Sequence, residues 1–110
     1  MLRMLSVIVP AYNEGKKIYS NLSQINDCLA SFVEGDYEIV AVNDGSKDNT
    51  GSEISRAAAD IPTIRPVLYD NNKGKGGAVI EGVKNSRGDL VAFIDADLDI
   101  SPKHLEDFLR

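Results

Sequence analysis

The regular alternation of short apolar segments with amphipathic ones constrains the fold of this chain more than any other feature. Four segments have the β-rich apolar composition of buried strands: 5–9, 37–42, 64–69 and 90–94. After each of them, apolar residues recur at spacings of three and four, which is typical of helices packed on a sheet. This βαβαβαβα order predicts one α/β domain with a mostly parallel sheet and helices on both faces.

Local signals mark where the predicted elements begin and end. The first helix carries its apolar positions at Ile18, Leu22, Ile25, Leu29 and Phe32. We expect Asn13 to cap this helix and Pro10 to close the strand before it. The Thr-Gly-Ser-Glu segment 50–53 has capping-box spacing for a second helix, a third helix is predicted over 76–86, and Ser101-Pro102 begins a fourth. Pro66 lies inside the third strand and predicts an edge position, because proline cannot donate to a central ladder.

Three carboxylates follow the last apolar run directly. Asp95, Asp97 and Asp99 alternate with other residues after segment 90–94, which we interpret as a strand buried on both faces. Closely spaced oxygen ligands suit a hard divalent cation such as Mg²⁺ or Mn²⁺, which can hold a diphosphate. A solvated acidic loop or a capping turn is the competing interpretation.

Composition excludes some classes of partner and location. The net charge of −5 argues against nucleic acid or an anionic membrane surface as the main partner. Cys28 is the single cysteine, so no internal disulfide can form, and a buried thiol suits a reducing compartment. No segment has the length of a membrane span and no signal-peptide pattern is present. We therefore expect a cytoplasmic location.

The segments after the predicted strands carry the polar chemistry. In a parallel sheet these four segments lie along one edge, where open α/β sheets bind ligands. They supply an aromatic ring, amides, acids, two lysines and a Gly-rich helix start. The Gly-rich run 74–77 has the spacing of neither a dinucleotide fingerprint nor a Walker P-loop. The inventory as a whole suits a nucleoside diphosphate.

The order of four motifs resembles a known family. These motifs are Val-Ile-Val-Pro-Ala-Tyr-Asn-Glu at 7–14, Val-Asn-Asp-Gly-Ser at 42–46, Asn-Lys-Gly-Lys-Gly-Gly-Ala at 72–78, and Asp-Ala-Asp at 95–97. Together they resemble the inverting family-2 glycosyltransferases of the GT-A fold, and most of all the polyprenyl-phosphate or dolichyl-phosphate sugar synthases. The resemblance implies a Rossmann-like nucleotide-binding half with strand order 3-2-1-4.

The resemblance also implies roles for individual residues. The base and ribose of a nucleotide-sugar would lie against Pro10, Ala11, Tyr12 and Glu14. Asp44 would contact the base, and Lys75 would lie near the ribose or phosphates. Asp95 would approach both ribose and metal, Asp97 would be the main metal ligand, and Asp99 would be a further ligand. Asp95 and Asp97 are thus the predicted catalytic residues.

The resemblance implies transfer of a hexose, with inversion, from a donor of the UDP-glucose or GDP-mannose type to a polyprenyl phosphate. Residues 1–110 would form the nucleotide-sugar-binding part of a GT-A domain truncated at its C-terminus. The lipid-phosphate acceptor site would lie beyond Arg110, and the full-length protein would work at the cytoplasmic face of a membrane. We expect this chain alone to bind donor with weak or no transferase activity.

Other interpretations of the same residues stay open. A non-catalytic nucleotide-binding or receiver-like regulatory module would also have a parallel sheet with acids at its strand ends, and a nucleotidyltransferase shares the metal chemistry. Ser46, Asp48 and Thr50 are typical of turns and caps rather than ligands. Lys73 is expected to be solvated and His104 to lie on a helix surface. The sequence leaves the oligomeric state open.

Overall fold

The computed structural model describes residues 4–95, with the backbone alone at Phe32. In chain order its elements are β1 (Met4–Ala11), α1 (Ile18–Phe32), β2 (Asp36–Asp44), α2 (Thr50–Asp60), β3 (Ile64–Tyr69), α3 (Gly74–Asn85) and β4 (Leu90–Phe93). The strands pair in the order β3-β2-β1-β4, and every pair is parallel. The predicted α/β architecture and strand order are confirmed. The predicted fourth helix lies outside the described residues.

Strand β1 lies at the centre of this sheet and is buried on both faces. Val7, Ile8 and Val9 have no exposed surface. Odd-numbered residues of β1 and β2 pack with α1 and α2, whereas Ile8 and the even residues of β2 pack with Ala78 of α3. Helices therefore cover both faces, as the sequence predicts, because side chains alternate between the faces of a strand.

Helix α1 supplies the largest apolar contribution to the core. Ile18, Leu22, Ile25 and Leu29 are completely buried, which confirms the predicted apolar stripe at these four positions. The side chain of Phe32, the fifth predicted position, lies outside the described part of the structure. Cys28 is buried with a free thiol among these residues.

The two prolines have different effects on the sheet. Pro10 does not close β1, because pairing with β2 continues through Pro10 to Ala11. The Ile8 carbonyl accepts the Ile94 N–H at 2.8 Å, so Ile8 and Pro10 both direct their backbone groups toward β4. Pro10 has no N–H to donate on the β4 side. It therefore ends the pairing of β1 with β4 and leaves the pairing with β2 intact. Pro66 lies on edge strand β3, as predicted.

Strand β4 differs from its prediction in burial. Leu90, Val91 and Phe93 are each about half exposed, at 53%, 46% and 52%. Within residues 4–95 this strand pairs only with β1 and forms the second edge of the sheet. An apolar run by itself did not distinguish a central strand from this edge strand.

The predicted helix caps are also corrected. Asn13 has a φ of 53° and its side chain accepts the Lys47 N–H at 2.9 Å, so it joins two loops and does not cap α1. The predicted capping box does not form. The Glu53 side chain pairs with Arg56 at 2.9 Å, and the Thr50 N–H donates to Asp48 rather than to Glu53. Helix α3 begins two residues before the predicted Gly76, at Gly74.

Helix α3 packs directly on β1 at Gly82. A Cβ atom at Gly82 would lie 2.4 Å from the Cγ2 atom of the fully buried Ile8. Gly76, on the same helix, has nothing within 4 Å of its Cβ position. The absence of a side chain at Gly82 therefore sets how closely α3 approaches the sheet.

We expect Gly82→Ala to lower the free energy of unfolding by about 1–3 kcal/mol, because the added methyl group overpacks the core. The matched control Gly76→Ala should raise it by about 0.5–1 kcal/mol through helix propensity. Urea denaturation of both variants measures the difference. Equal effects of the two substitutions would contradict close packing at Gly82.

A buried polar network joins the strands at the end of the sheet opposite the carboxyl ends. Glu38 is 2% exposed. Its carboxylate accepts hydrogen bonds from the Ser6 hydroxyl at 2.6 Å, the Arg87 N–H at 2.6 Å and the Arg65 guanidinium at 3.2 Å. Burial acts to raise the pKa of Glu38, but these donors together outweigh it and hold the pKa below its ordinary value.

Because the folded pKa of Glu38 lies below its unfolded value of about 4.5, its charge stabilises the fold above that pH and this contribution is lost as the pH falls. We expect Glu38→Gln to destabilise the protein by about 1–3 kcal/mol at pH 7. The difference from wild type should shrink below pH 4.5. Urea denaturation at a series of pH values measures this difference in the free energy of unfolding. Glu34→Gln, at an exposed glutamate, is the control. A difference that does not change with pH would contradict stabilisation by the Glu38 charge.

Candidate functional site

A cleft of about 350 Å³ opens at the carboxyl ends of the parallel strands. It is lined by Pro10, Ala11, Tyr12, Asp44, Asn72, Gly74, Lys75, Ala78 and Asp95. These residues come from the ends of β1 and β2, the segment joining β3 to α3, the first two turns of α3 and the residues after β4. Six residues predicted to bind the nucleotide-sugar therefore share one cleft, although they are far apart in sequence.

The end of β1 gives the cleft an apolar surface, followed by the exposed ring of Tyr12. Ala11 is buried at 3% exposure and is held in the ladder opposite Asn43. Tyr12 follows the last residue of the strand and is 45% exposed. An accessible ring beside a rigid strand end offers a surface for a flat heterocycle.

Asp44 is the last residue of β2 and is buried at 3% exposure. Its Oδ1 atom accepts hydrogen bonds from the Tyr69 hydroxyl at 2.6 Å and the Lys73 N–H at 2.9 Å. The sequence predicts that this strand ends at Val42, which would leave Asp44 in a loop. The two extra ladder residues give Asp44 a fixed position at the sheet edge.

The segment after β3 is held against the end of β2 by a close backbone approach. Gly45 has a φ of 65°, and a Cβ atom there would lie 2.4 Å from the backbone nitrogen of Asn72. Asn72 donates its amide to the Asp44 carbonyl at 3.0 Å and accepts the Gly74 N–H at 3.0 Å. Asn72 therefore ties β2 to the first turn of α3.

Lys75 and Asp95 face each other across the cleft and form an ion pair. Lys75, in the first turn of α3, has a side chain that is 62% exposed, whereas that of Asp95 is 20% exposed. A lysine in the first turn of a helix, where the helix dipole also favours negative charge, can receive an anionic phosphate. Lys73 is exposed, as expected, with 44% of its side chain accessible, and it also pairs with Glu81 at 3.0 Å.

Glu14 lies apart from this cleft. It lines a separate depression with Asn13, Lys16, Lys17 and Asp48. The Glu14 N–H donates to the Thr50 hydroxyl at 2.8 Å, and the Gly15 N–H donates to Asp48 at 3.0 Å. The Thr50 hydroxyl, with three backbone N–H groups, lowers the pKa of Asp48. Asp48 and Thr50 thus hold the loop after β1 in position, as structural residues.

The predicted metal ligands are only partly within the described structure. Asp95 contributes one carboxylate to the cleft. Residues 4–95 contain no group of three His, Cys, Asp or Glu side chains able to hold a metal ion. Asp97 and Asp99 lie outside the described residues. Asp95 therefore fits a metal site as one oxygen ligand, and its predicted partners follow it in sequence.

Two residues of this site carry no functional signal in the sequence. Asn72 belongs to a polar loop, and Tyr69 ends an apolar strand. Both contact Asp44 because β3 pairs with β2 in register, with Tyr69 opposite Asp44. Because this register arises from packing across the sheet, no local sequence signal identifies these two residues.

Such a cleft, at the carboxyl ends of a parallel sheet, lies where open α/β domains bind their ligands. Residues 6–110 match the family Glycosyl transferase family 2. The chain therefore belongs to that family. This membership favours a glycosyltransferase over the receiver-like alternative.

Two relatives of this chain are named as transferases that act with a lipid phosphate. The chain is 43% identical over 94 residues to the dolichyl-phosphate beta-glucosyltransferase ALG5C of Trichomonas vaginalis, covering 82% of this chain and 28% of that protein. It is 32% identical over 102 residues to the undecaprenyl-phosphate 4-deoxy-4-formamido-L-arabinose transferase of Shewanella sediminis, covering 92% and 30%. The chain spans 17–32% of the length of the first relatives it matches.

Two solved structures share the fold. The mannosyltransferase PcManGT of Pyrobaculum calidifontis, in complex with GDP-Man and Mn²⁺, superposes with a TM-score of 0.79 at 27% identity, over 99% of this chain and 32% of that one. Glucosyl-3-phosphoglycerate synthase of Mycobacterium tuberculosis, with Mn²⁺ and UDP, gives 0.69 at 27% identity, over 94% and 37%. The predicted GT-A fold is confirmed. Within residues 4–95 no helix is both long and apolar enough to cross a bilayer.

Proposed function

We propose that this chain is the donor-binding part of a glycosyltransferase that transfers a hexose from a nucleoside diphosphate sugar to a polyprenyl phosphate, with inversion. Family membership and the names of the relatives support this proposal. The observation that carries it is the convergence of Tyr12, Asp44, Lys75 and Asp95 on one cleft.

The cleft offers separate surfaces for the parts of such a donor. Tyr12 and the buried end of β1 provide the apolar surface for a base, and Asp44 provides a fixed acceptor for its N–H groups. Lys75 at the start of α3 provides positive charge for the diphosphate. The base is thus held between β1 and β2 while the phosphates extend toward Asp95.

Asp95 would hold a divalent cation together with Asp97, the proposed main ligand, and Asp99. Either Mn²⁺ or Mg²⁺ suits carboxylate oxygens, and Mn²⁺ accompanies the nucleotides in both related structures. When bound, the ion supplies positive charge to the departing nucleoside diphosphate. Lys75 adds a second positive charge on the opposite wall of the cleft.

The polyprenyl phosphate acceptor is proposed from the relatives, which are named for dolichyl-phosphate and undecaprenyl-phosphate. A phosphate acceptor is already anionic at neutral pH, so its attack on the anomeric carbon needs no general base. Attack from the face opposite the leaving diphosphate inverts the configuration. The lipid acceptor brings the full-length protein to the cytoplasmic face of a membrane in this proposal.

Calorimetric titration with UDP and with GDP, each with and without Mn²⁺, tests donor binding. We expect one nucleotide to bind in a metal-dependent way, and Lys75→Ala to weaken it by about tenfold, because a charge-assisted phosphate contact is lost. Lys84→Ala is the matched control, since Lys84 lies on the same helix with 66% exposure against 62% for Lys75. Equal affinity of both variants would contradict the role of Lys75.

Asp97→Asn should abolish the effect of Mn²⁺ on nucleotide affinity, because the main metal ligand is removed. Exposed Asp36→Asn, at the opposite end of β2, removes the same charge and should leave the effect unchanged. Circular dichroism confirms that each variant is folded. A folded wild-type chain that binds neither nucleotide at millimolar concentration would overturn the proposed function.

A further inference from the structure

Tyr69 makes a contact that the proposed donor binding does not use. Its hydroxyl donates to Oδ1 of Asp44 at 2.6 Å, and the two residues lie opposite each other in the β2–β3 ladder. Asp44 lines the cleft, whereas Tyr69 does not. Any effect of Tyr69 on a bound nucleotide would therefore act through Asp44.

The donors around Asp44 all meet one of its two carboxylate oxygens. Oδ1 accepts both the Tyr69 hydroxyl and the Lys73 N–H, and no other described residue bonds to Oδ2. Among residues 4–95, no buried side-chain oxygen or nitrogen lacks a hydrogen-bond partner. Oδ2, which has no such partner, therefore keeps accessible surface on a residue that lines the cleft. The Tyr69 hydroxyl and the Lys73 N–H together restrict rotation of the carboxylate.

The Tyr69 ring is itself held in place. The Lys73 ammonium lies 4.9 Å from the ring centroid and pairs with Glu81 of α3 at 3.0 Å. Burial, with the hydrogen bond and negative charge of Asp44, raises the pKa of Tyr69 well above its ordinary value. The hydroxyl therefore stays a donor throughout the neutral range of pH.

We propose that Tyr69 is a positioning residue that aims Oδ2 of Asp44 at the base of the nucleotide and so contributes to base selection. An ionised carboxylate only accepts hydrogen bonds. It favours a base with a ring N–H at that edge, as in uracil and guanine, over one with a bare ring nitrogen, as in cytosine and adenine. This inference rests on the proposed function.

The test compares Tyr69→Phe with Tyr19→Phe. Tyr19 makes the same two kinds of contact at an exposed place: its hydroxyl donates to Asp60 at 2.6 Å and Arg56 lies 3.8 Å from its ring centroid. Each substitution removes one Tyr–Asp hydrogen bond and keeps the ring. Titrations use UDP with CDP, and GDP with ADP, because each pair differs in the ring N–H.

Tyr69→Phe should lower the affinity for the preferred nucleotide about 5- to 10-fold and reduce its preference over the partner base by a similar factor. Pyrophosphate affinity should not change, and Tyr19→Phe should alter none of these values. In an Asp44→Asn background, which already lacks the carboxylate, Tyr69→Phe should have no further effect on base preference.

The outcomes separate the two proposals. Wild type that binds no nucleotide overturns donor binding and this inference together. Wild type that binds, with unchanged base preference in Tyr69→Phe, overturns the role of Tyr69 alone. An equal loss of affinity for nucleotides and pyrophosphate in Tyr69→Phe would also overturn it, since that pattern reports general damage to the cleft.

Discussion

Parallel pairing of β1 between β2 and β4 is the constraint on which the rest of this structure depends. It buries β1 on both faces, and α1 and α2 cover one face while α3 covers the other. Because all four strands run in one direction, their carboxyl ends meet at a single edge. For this reason one cleft is lined by Tyr12, Asp44 and Asp95, although Tyr12 and Asp95 are more than 80 residues apart in sequence.

Close contacts between loops then convert the shared edge into a shaped site. The approach of Gly45 to Asn72 brings the segment before α3 against the end of β2, where Asn72 and Lys73 bond to Asp44. Asp48 and Thr50, which follow β2, accept backbone N–H groups of the loop after β1 and hold that loop in position. The cleft is therefore bounded by hydrogen-bonded backbone, which limits the conformational entropy that a ligand must restrict on binding.

Sequence patterns predicted most of the fold but not its details at the element ends. The apolar stripe of α1 and the edge position of Pro66 followed from side-chain periodicity and from the missing proline N–H. Local reasoning failed at Asn13 and at the 50–53 segment, where contacts between distant loops used the groups that a helix cap would need. It also failed for β4, because burial on both faces depends on neighbouring strands rather than on apolarity.

The sequence by itself determined the element order, the parallel sheet, the family resemblance and six of the residues that line the cleft, since these depend on periodicity and motif spacing. Only the tertiary structure decided that Glu14 lies apart from the cleft and that Tyr69 contacts Asp44. The physical reason is strand register: the pairing of Tyr69 with Asp44 arises from packing across the whole sheet, and no local pattern in the chain encodes it.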